Sequence, residues 1–115
     1  MPKESSTSAR VFYPQYDQAE VIKFIQEKIS ELSLFLPLST VILFGSYARG
    51  NFTAGSDIDL LIVYRGEVRP DAFALAKKII KLKGLEPHVY AEAEYSELKE
   101  SLKAMTANGI VLFAP

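Results

Sequence analysis

Cysteine does not occur in this chain of 115 residues. Without it the protein cannot form disulfides, bind a metal through thiolates or use a thiol nucleophile, so any metal site has oxygen or nitrogen ligands. No apolar run approaches the roughly 18 residues that a membrane span requires, and the N-terminal segment lacks the apolar centre of a signal peptide. We therefore expect a cytoplasmic protein with no membrane partner.

A surplus of positive charge is lacking as well. The chain has 13 basic and 14 acidic residues, which gives a formal net charge of -1. Such a balance creates no overall field that attracts a polyanion, so long nucleic acid is not an expected partner. With 49% hydrophobic and 23% charged residues, the composition is that of an ordinary globular protein with one compact domain.

Hydrophobic periodicity predicts the order helix, strand, strand, helix, strand, helix, strand. We expect residues 1–15 to form a flexible tail and residues 16–115 to fold as one domain. The predicted elements are a helix from Asp17 to about Leu34, strands at 40–44, 58–64, 87–91 and 110–113, a helix after Pro70 capped by Gly84, and a short helix from Ser96. This order indicates an α/β or α+β fold in which helices pack on a small sheet.

The stretch ILFGSYARGNFTAGSDIDLLIVY, residues 42–64, places two acids at the start of an apolar strand. Asp57 and Asp59 are two residues apart, so a strand presents both carboxylates on one side, about 6 to 7 Å apart along the backbone. Their repulsion weakens the strand unless a cation offsets it, and Mg²⁺ binds one or two carboxylates together with phosphate oxygens. The pair therefore predicts Mg²⁺, or Mn²⁺ in its place, with a phosphorylated ligand.

A glycine–serine turn precedes these acids and ends the previous strand at Gly45 and Ser46. Glycine lets a phosphate approach the backbone, a helix start exposes N–H groups to anions, and the Ser46 hydroxyl can donate to a phosphate oxygen. Arg49 adds a positive charge, and Ser56 lies beside Asp57 in the following loop. Taken singly, these residues more often have structural roles: the glycine forms a turn, Ser46 caps a helix, Arg49 is a solvated side chain, and Ser56 with Asp57 caps a loop end. Their combined spacing favours nucleotide binding.

The segment GSYARGNFTAGSDIDLLIVY resembles the signature of the DNA polymerase beta nucleotidyltransferase superfamily. In so short a chain it is most similar to the minimal nucleotidyltransferase (MNT) group. The resemblance implies a polymerase beta palm-like fold with a mixed sheet over residues 16–115. It also implies that Gly45 and Ser46 hold the phosphates of a nucleotide and that Asp57 and Asp59 bind divalent metal. The implied reaction transfers a nucleoside monophosphate, expected to be AMP, from ATP or another nucleoside triphosphate to an acceptor hydroxyl.

The family pattern is interrupted on the third predicted strand, which includes the residues EPHVYA. Active members of the superfamily generally carry a third acid there, and alternation places Glu86, His88 and Tyr90 on one side of the strand. We assign His88 to the position of the third acid, with Glu86 as the nearest carboxylate. Because imidazole is a poor ligand for Mg²⁺, the sequence leaves open whether turnover occurs. It also leaves open whether His88 serves the site or makes a structural hydrogen bond.

Three functions are consistent with this signature. The first is an active nucleotidyltransferase whose acceptor hydroxyl lies on a partner protein. The second is a catalytically weak or inactive nucleotide-binding antitoxin in complex with a HEPN-type (higher eukaryote and prokaryote nucleotide-binding) toxin. The resemblance implies this partner, because MNT proteins are often paired with such toxins and some modify a toxin tyrosine with AMP. The third is the catalytic half of a two-protein enzyme. The acceptor, the preferred base and homo-oligomer formation remain open.

Three aromatic side chains surround the predicted site. Tyr47 lies in the turn, Phe52 in the loop and Tyr64 at a strand end. We expect them either to stack on a base or cover a partner, or to pack locally within the domain.

Overall fold

The structure, a computed structural model, describes residues 16–115, and the predicted tail of residues 1–15 lies outside the described residues. The elements follow the predicted order, with one additional short helix. In chain order they are α1 (Gln18–Leu32), β1 (Leu38–Phe44), α2 (Ser46–Arg49), β2 (Ile58–Tyr64), α3 (Ala72–Ile80), β3 (Leu85–Ala91), α4 (Glu92–Met105) and β4 (Ile110–Phe113). None of the helices described between residues 16 and 115 is both long and apolar enough to cross a bilayer.

The four strands form one sheet in the order β3-β2-β1-β4. β1 runs antiparallel to β2 and β4, whereas β2 and β3 are parallel, so the sheet is mixed as predicted. α3 provides the crossover that a parallel pair requires. The register pairs Phe44 with Asp59 and Asp59 with Glu86. The end of β1 and the starts of β2 and β3 therefore meet at one end of the sheet.

Helices cover both faces of this sheet. On one face, α1 and α3 bury apolar residues at helical spacing, namely Val21, Ile25, Ile29, Leu32, Ala72, Ala76, Ile79 and Ile80. On the other face, Leu102 of α4 packs against Phe44, Leu61 and Val63. β2 is buried on both faces, as its nearly continuous apolar sequence predicts. A strand packed in this way holds its first residues in a well-defined position.

The prediction that Gly84 caps the helix after Pro70 is wrong. α3 ends at Ile80, and its C-cap is Lys81, in the left-handed conformation with φ 40°, instead of Gly84. Gly84 lies in the next turn with φ 85°, and its carbonyl accepts the N–H of Ile58 at 2.8 Å. The glycine therefore ties the α3–β3 turn to the start of β2.

The predicted start of the last helix at Ser96 is also wrong. α4 begins at Glu92, directly after β3. The Glu94 carboxylate accepts the N–H of Ala91 at 3.0 Å, which supplies a partner for a donor that the helix start leaves unpaired. The helix therefore begins one turn earlier than its apolar residues indicate.

Candidate functional site

Gly45 forms the turn at the end of β1. Its φ of 78° and ψ of -157° lie in a region open almost only to glycine. A Cβ atom at this position would collide with the carboxylate of Asp59. Because Phe44 pairs with Asp59 across β1 and β2, the turn after β1 lies directly against this carboxylate. The backbone conformation favours glycine here, and any larger residue would also have to displace the Asp59 carboxylate.

The short helix α2 follows this turn at once. The first N–H groups of a helix have no partner within the helix, and in α2 these belong to Ser46 and Tyr47. Arg49 is exposed in the last turn of α2. Four consecutive residues thus carry two N–H groups, one hydroxyl and one guanidinium, which is a donor set suited to an anion.

Hydrogen bonds from the N-terminus of α1 hold α2 in place. Nε2 of Gln18 donates hydrogen bonds to the carbonyl oxygens of Tyr47 at 2.8 Å and Ala48 at 3.1 Å. The buried Tyr47 ring stacks on Phe52 with centroids 4.0 Å apart, and its hydroxyl donates to the Tyr16 carbonyl at 3.3 Å. Burial, and to a lesser extent the nearby Tyr16 phenol, raises the pKa of Tyr47 above its usual value. Sequence reasoning missed Gln18, because its partners lie 29 and 30 residues away.

The aromatic residues near the site pack within the domain. Tyr64 is buried, and its hydroxyl accepts the N–H of Arg69 at 2.8 Å. Tyr47 is buried as well, and Phe52 is partly buried by its stack on that ring. Local packing is therefore confirmed for Tyr47 and Tyr64, whereas Phe52 packs on Tyr47 and keeps part of its surface exposed.

The two aspartates have different surroundings. Asp57 lies just before β2 and is exposed, whereas Asp59 is the second residue of β2 and its side chain is 27% exposed. Both carboxylates therefore keep some access to water. The cost of placing charge at this end of a buried strand is smaller than full burial would impose.

His88 of β3 reaches the same point from the neighbouring strand. Its Nε2 lies 3.5 Å from Oδ1 of Asp59, and its ring packs against Phe44 with centroids 5.1 Å apart. This nitrogen is buried and has no hydrogen-bond partner among the described residues. Glu86, which pairs with Asp59 in the register, is exposed. A β3 side chain that contacts Asp59 is thus an imidazole, and the carboxylate of Glu86 is exposed to solvent.

Ser56 is engaged within its own loop. Its Oγ accepts the N–H of Thr53 at 2.8 Å and lies 3.4 Å from Oγ1 of the same residue. These contacts close the turn that leads into Asp57. A contact between Ser56 and a nucleotide stays a prediction.

The side chains at this end of the sheet suit the implied metal ion only in part. Among residues 16–115, no three His, Asp or Glu side chains are grouped closely enough to hold a metal by themselves. Mg²⁺ uses one or two carboxylates and completes its shell with water and phosphate oxygens, so Asp57 and Asp59 fit an ion that arrives with a nucleotide. The imidazole of His88 does not fit Mg²⁺, because aromatic nitrogen prefers transition metals.

The family follows from a comparison of the sequence with known domains. A family model described as Nucleotidyltransferase domain matches residues 20–112, which include the Gly45–Ser46 turn and both aspartates. The chain belongs to the nucleotidyltransferase domain family. The match extends over all of the sheet except the last residue of β4, so the signature and the fold identify the same family of transferases.

Two curated relatives of this nucleotidyltransferase domain come from Methanocaldococcus jannaschii. "Putative protein adenylyltransferase MJ0141" is 46% identical over 48 residues, and "Putative protein adenylyltransferase MJ0604" is 43% identical over 58 residues. The matches cover 40% and 50% of this chain. They span about half the length of these relatives, 48% of the first and 56% of the second.

Solved structures share the fold of the nucleotidyltransferase domain. A crystal structure described as a "putative nucleotidyltransferase from Sulfolobus solfataricus" is 26% identical, covers 82% of this chain and 80% of its own, and gives a TM-score of 0.58. A structure described as a toxin-antitoxin with AMP-PNP gives a TM-score of 0.55 at 22% identity. It covers 78% of this chain and 73% of its own. The second likeness concerns the fold alone.

Proposed function

We propose that this nucleotidyltransferase domain transfers AMP from ATP to a hydroxyl group on a partner protein in the cytoplasm. The close approach of Gly45 to the Asp59 carboxylate carries the proposal. It holds the Gly45–Ser46 turn, which suits phosphates, against an acid that suits a metal ion. A phosphate site and a cation site at one point are what a metal–nucleotide complex requires.

The proposed role of each residue follows from its chemistry. The Gly45–Ser46 turn binds phosphate through the N–H groups of Ser46 and Tyr47 and through the serine hydroxyl, and Arg49 offsets negative charge. Asp57 and Asp59 hold Mg²⁺ or Mn²⁺, which when bound neutralises the polyphosphate and orients it for in-line displacement. The acceptor oxygen bonds to the α-phosphorus, the bond to the bridging oxygen breaks, pyrophosphate leaves and the hydroxyl proton passes to water. Ser56 keeps the loop before the acids closed.

The adenine nucleotide and the protein acceptor are supported by the relatives. Both Methanocaldococcus jannaschii proteins are named as protein adenylyltransferases, and one structure of the same fold is a toxin-antitoxin with AMP-PNP. We propose a HEPN-type toxin as the partner, in keeping with the sequence resemblance to MNT proteins.

A labelling assay tests this function. The purified protein is incubated with ATP labelled on its α-phosphate and with Mg²⁺ or Mn²⁺, alone and with the product of the adjacent gene. We expect label on the partner, and loss of labelling in Asp57→Asn and in Asp59→Asn. Asp71→Asn serves as the control, because Asp71 is an exposed aspartate at the start of α3. Labelling that continues unchanged in both site variants would refute the metal role.

A non-catalytic partner module is the second candidate function. It is favoured by His88, whose imidazole lies 3.5 Å from Asp59 and is a poor ligand for Mg²⁺. Such a module would bind the partner without turnover. A stable complex with the adjacent gene product, together with no labelling and no heat of ATP binding in calorimetry, would favour this candidate over transfer.

A further inference from the structure

The imidazole of His88 has a buried nitrogen that lacks a partner. Nε2 makes no hydrogen bond to any described residue, although it is shielded from solvent. A polar nitrogen left in this state costs roughly 1 to 3 kcal/mol, so native proteins rarely keep one without a ligand, water or ion. The contact of 3.5 Å with Oδ1 of Asp59 is within the range of an ion pair but is not a hydrogen bond.

The same distance suits two ligands of one metal ion. Two donors about 2.1 Å from an ion lie roughly 3.0 Å apart along an octahedral edge and roughly 3.4 Å apart along a tetrahedral edge. Nε2 of His88 and Oδ1 of Asp59 are separated by 3.5 Å, close to the tetrahedral value. The Phe44 ring, packed against the imidazole, limits its rotation away from Asp59. The pair is therefore arranged for joint coordination with little rearrangement.

We propose that His88 and Asp59 jointly bind a first-row transition-metal ion in preference to Mg²⁺. A neutral imidazole nitrogen is a good ligand for Co²⁺, Ni²⁺ or Zn²⁺ and a poor one for Mg²⁺, which demands oxygen donors and sheds its water reluctantly. No third His, Asp or Glu among residues 16–115 is grouped with this pair, so water would fill the other positions around the ion. The inference deepens the proposed function, since it names the metal class of the same site.

The wild-type protein alone provides a direct test, because His88 is the only histidine in the chain. Its imidazole CH protons give an NMR signal that belongs to one residue. On addition of Zn²⁺, which is diamagnetic, to metal-free protein without nucleotide, we expect these signals to shift at the lowest additions. Equal amounts of Mg²⁺ should leave them in place. Imidazole signals that do not respond to Zn²⁺ at concentrations that saturate any other change would overturn the proposal.

Calorimetry of three variants measures the preference itself. For the wild type we expect Co²⁺ to bind at least about tenfold more tightly than Mg²⁺. His88→Phe keeps a ring against Phe44 but removes the nitrogen, so Co²⁺ affinity should fall by about tenfold or more while Mg²⁺ affinity stays within about threefold. His88→Asp supplies an oxygen donor and should move the preference toward Mg²⁺. Tyr90→Phe, which alters the same strand face, is the matched control and should leave both affinities unchanged.

These outcomes are separable from those of the labelling assay. If Co²⁺ binds through His88 but no AMP is transferred, the metal inference stands and the proposed function fails. If AMP is transferred with Mg²⁺ while His88→Phe binds Co²⁺ as well as the wild type, the function stands and the inference fails. Equal affinity of the wild type for Co²⁺ and Mg²⁺ would also refute the inference, because His88 would then be only an ion-pair partner of Asp59.

Discussion

Replacement of Gly45 by alanine tests the contact that joins the turn to the metal-binding acid. The substitution adds one carbon atom at a residue with φ 78° and ψ -157°, and this atom would meet the Asp59 carboxylate. Two separate penalties therefore act on the variant. One is backbone strain, and the other is displacement of the carboxylate.

The size of the effect follows from a comparison with Gly50. A non-glycine residue in the backbone region of Gly45 costs of order 1 to 3 kcal/mol. The collision adds to this cost, and we expect a total loss of about 3 kcal/mol in the free energy of unfolding. Gly50 lies in the left-handed region with φ 81° and ψ 8°, and an added Cβ there meets nothing within 4 Å. Gly50→Ala should therefore lose only about 1 kcal/mol.

Urea unfolding of both variants checks this difference. The gain from restricting the unfolded chain, about 0.4 to 1 kcal/mol for a glycine-to-alanine change, applies to both variants and cancels. A difference of about 2 kcal/mol corresponds to a shift in Tm of roughly 8 °C for a domain of this size. Divalent-metal affinity should fall by about tenfold in Gly45→Ala, because Asp59 is displaced, and stay unchanged in Gly50→Ala. Equal destabilisation of the two variants with intact metal binding in both would refute the reasoning.

Three further predictions concern the elements that support the site. Gln18→Leu removes two hydrogen bonds to α2 and should lower the free energy of unfolding by about 2 kcal/mol in urea, whereas the exposed Gln26 of the same helix should tolerate the same change. Burial raises the pKa of Tyr47 above 10.0, so its stabilising contribution is present below that pH and is lost as the pH rises through the folded value. Tyr47→Phe should flatten this alkaline loss in denaturation curves. The hydrogen bond from Arg69 lowers the pKa of Asp71 below 3.8, so its contribution is present above that pH and is lost on further acidification. Asp71→Asn should show no such acid loss, and the two stabilities should converge at low pH.

The site is assembled where three strands meet, and this explains its dependence on register. Phe44 pairs with Asp59, and Asp59 pairs with Glu86. A shift of β2 by one residue would turn the Asp59 side chain to the opposite face, away from His88. The apolar residues that bury β2 on both faces therefore also determine the position of the acid that the proposed chemistry needs.

The sequence alone was sufficient to predict the local parts of this protein. The order of helices and strands, the Gly45–Ser46 turn and the pair Asp57 and Asp59 all follow from patterns within short windows, because periodicity and turn chemistry act between near neighbours. The end of α3 and the start of α4 were harder to predict from the sequence. They depend on Lys81 adopting a left-handed cap and on the Glu94 carboxylate accepting a strand N–H.

The tertiary structure decided which distant residues meet. The parallel pairing of β2 with β3 brings His88 into contact with Asp59, and the packing of α1 brings Gln18 to the carbonyl oxygens of α2. Neither contact leaves a local signal, since each joins residues far apart in the chain. Such contacts form only when the strands pair in one register and the helices bury their apolar faces on the sheet, so they are properties of the whole fold.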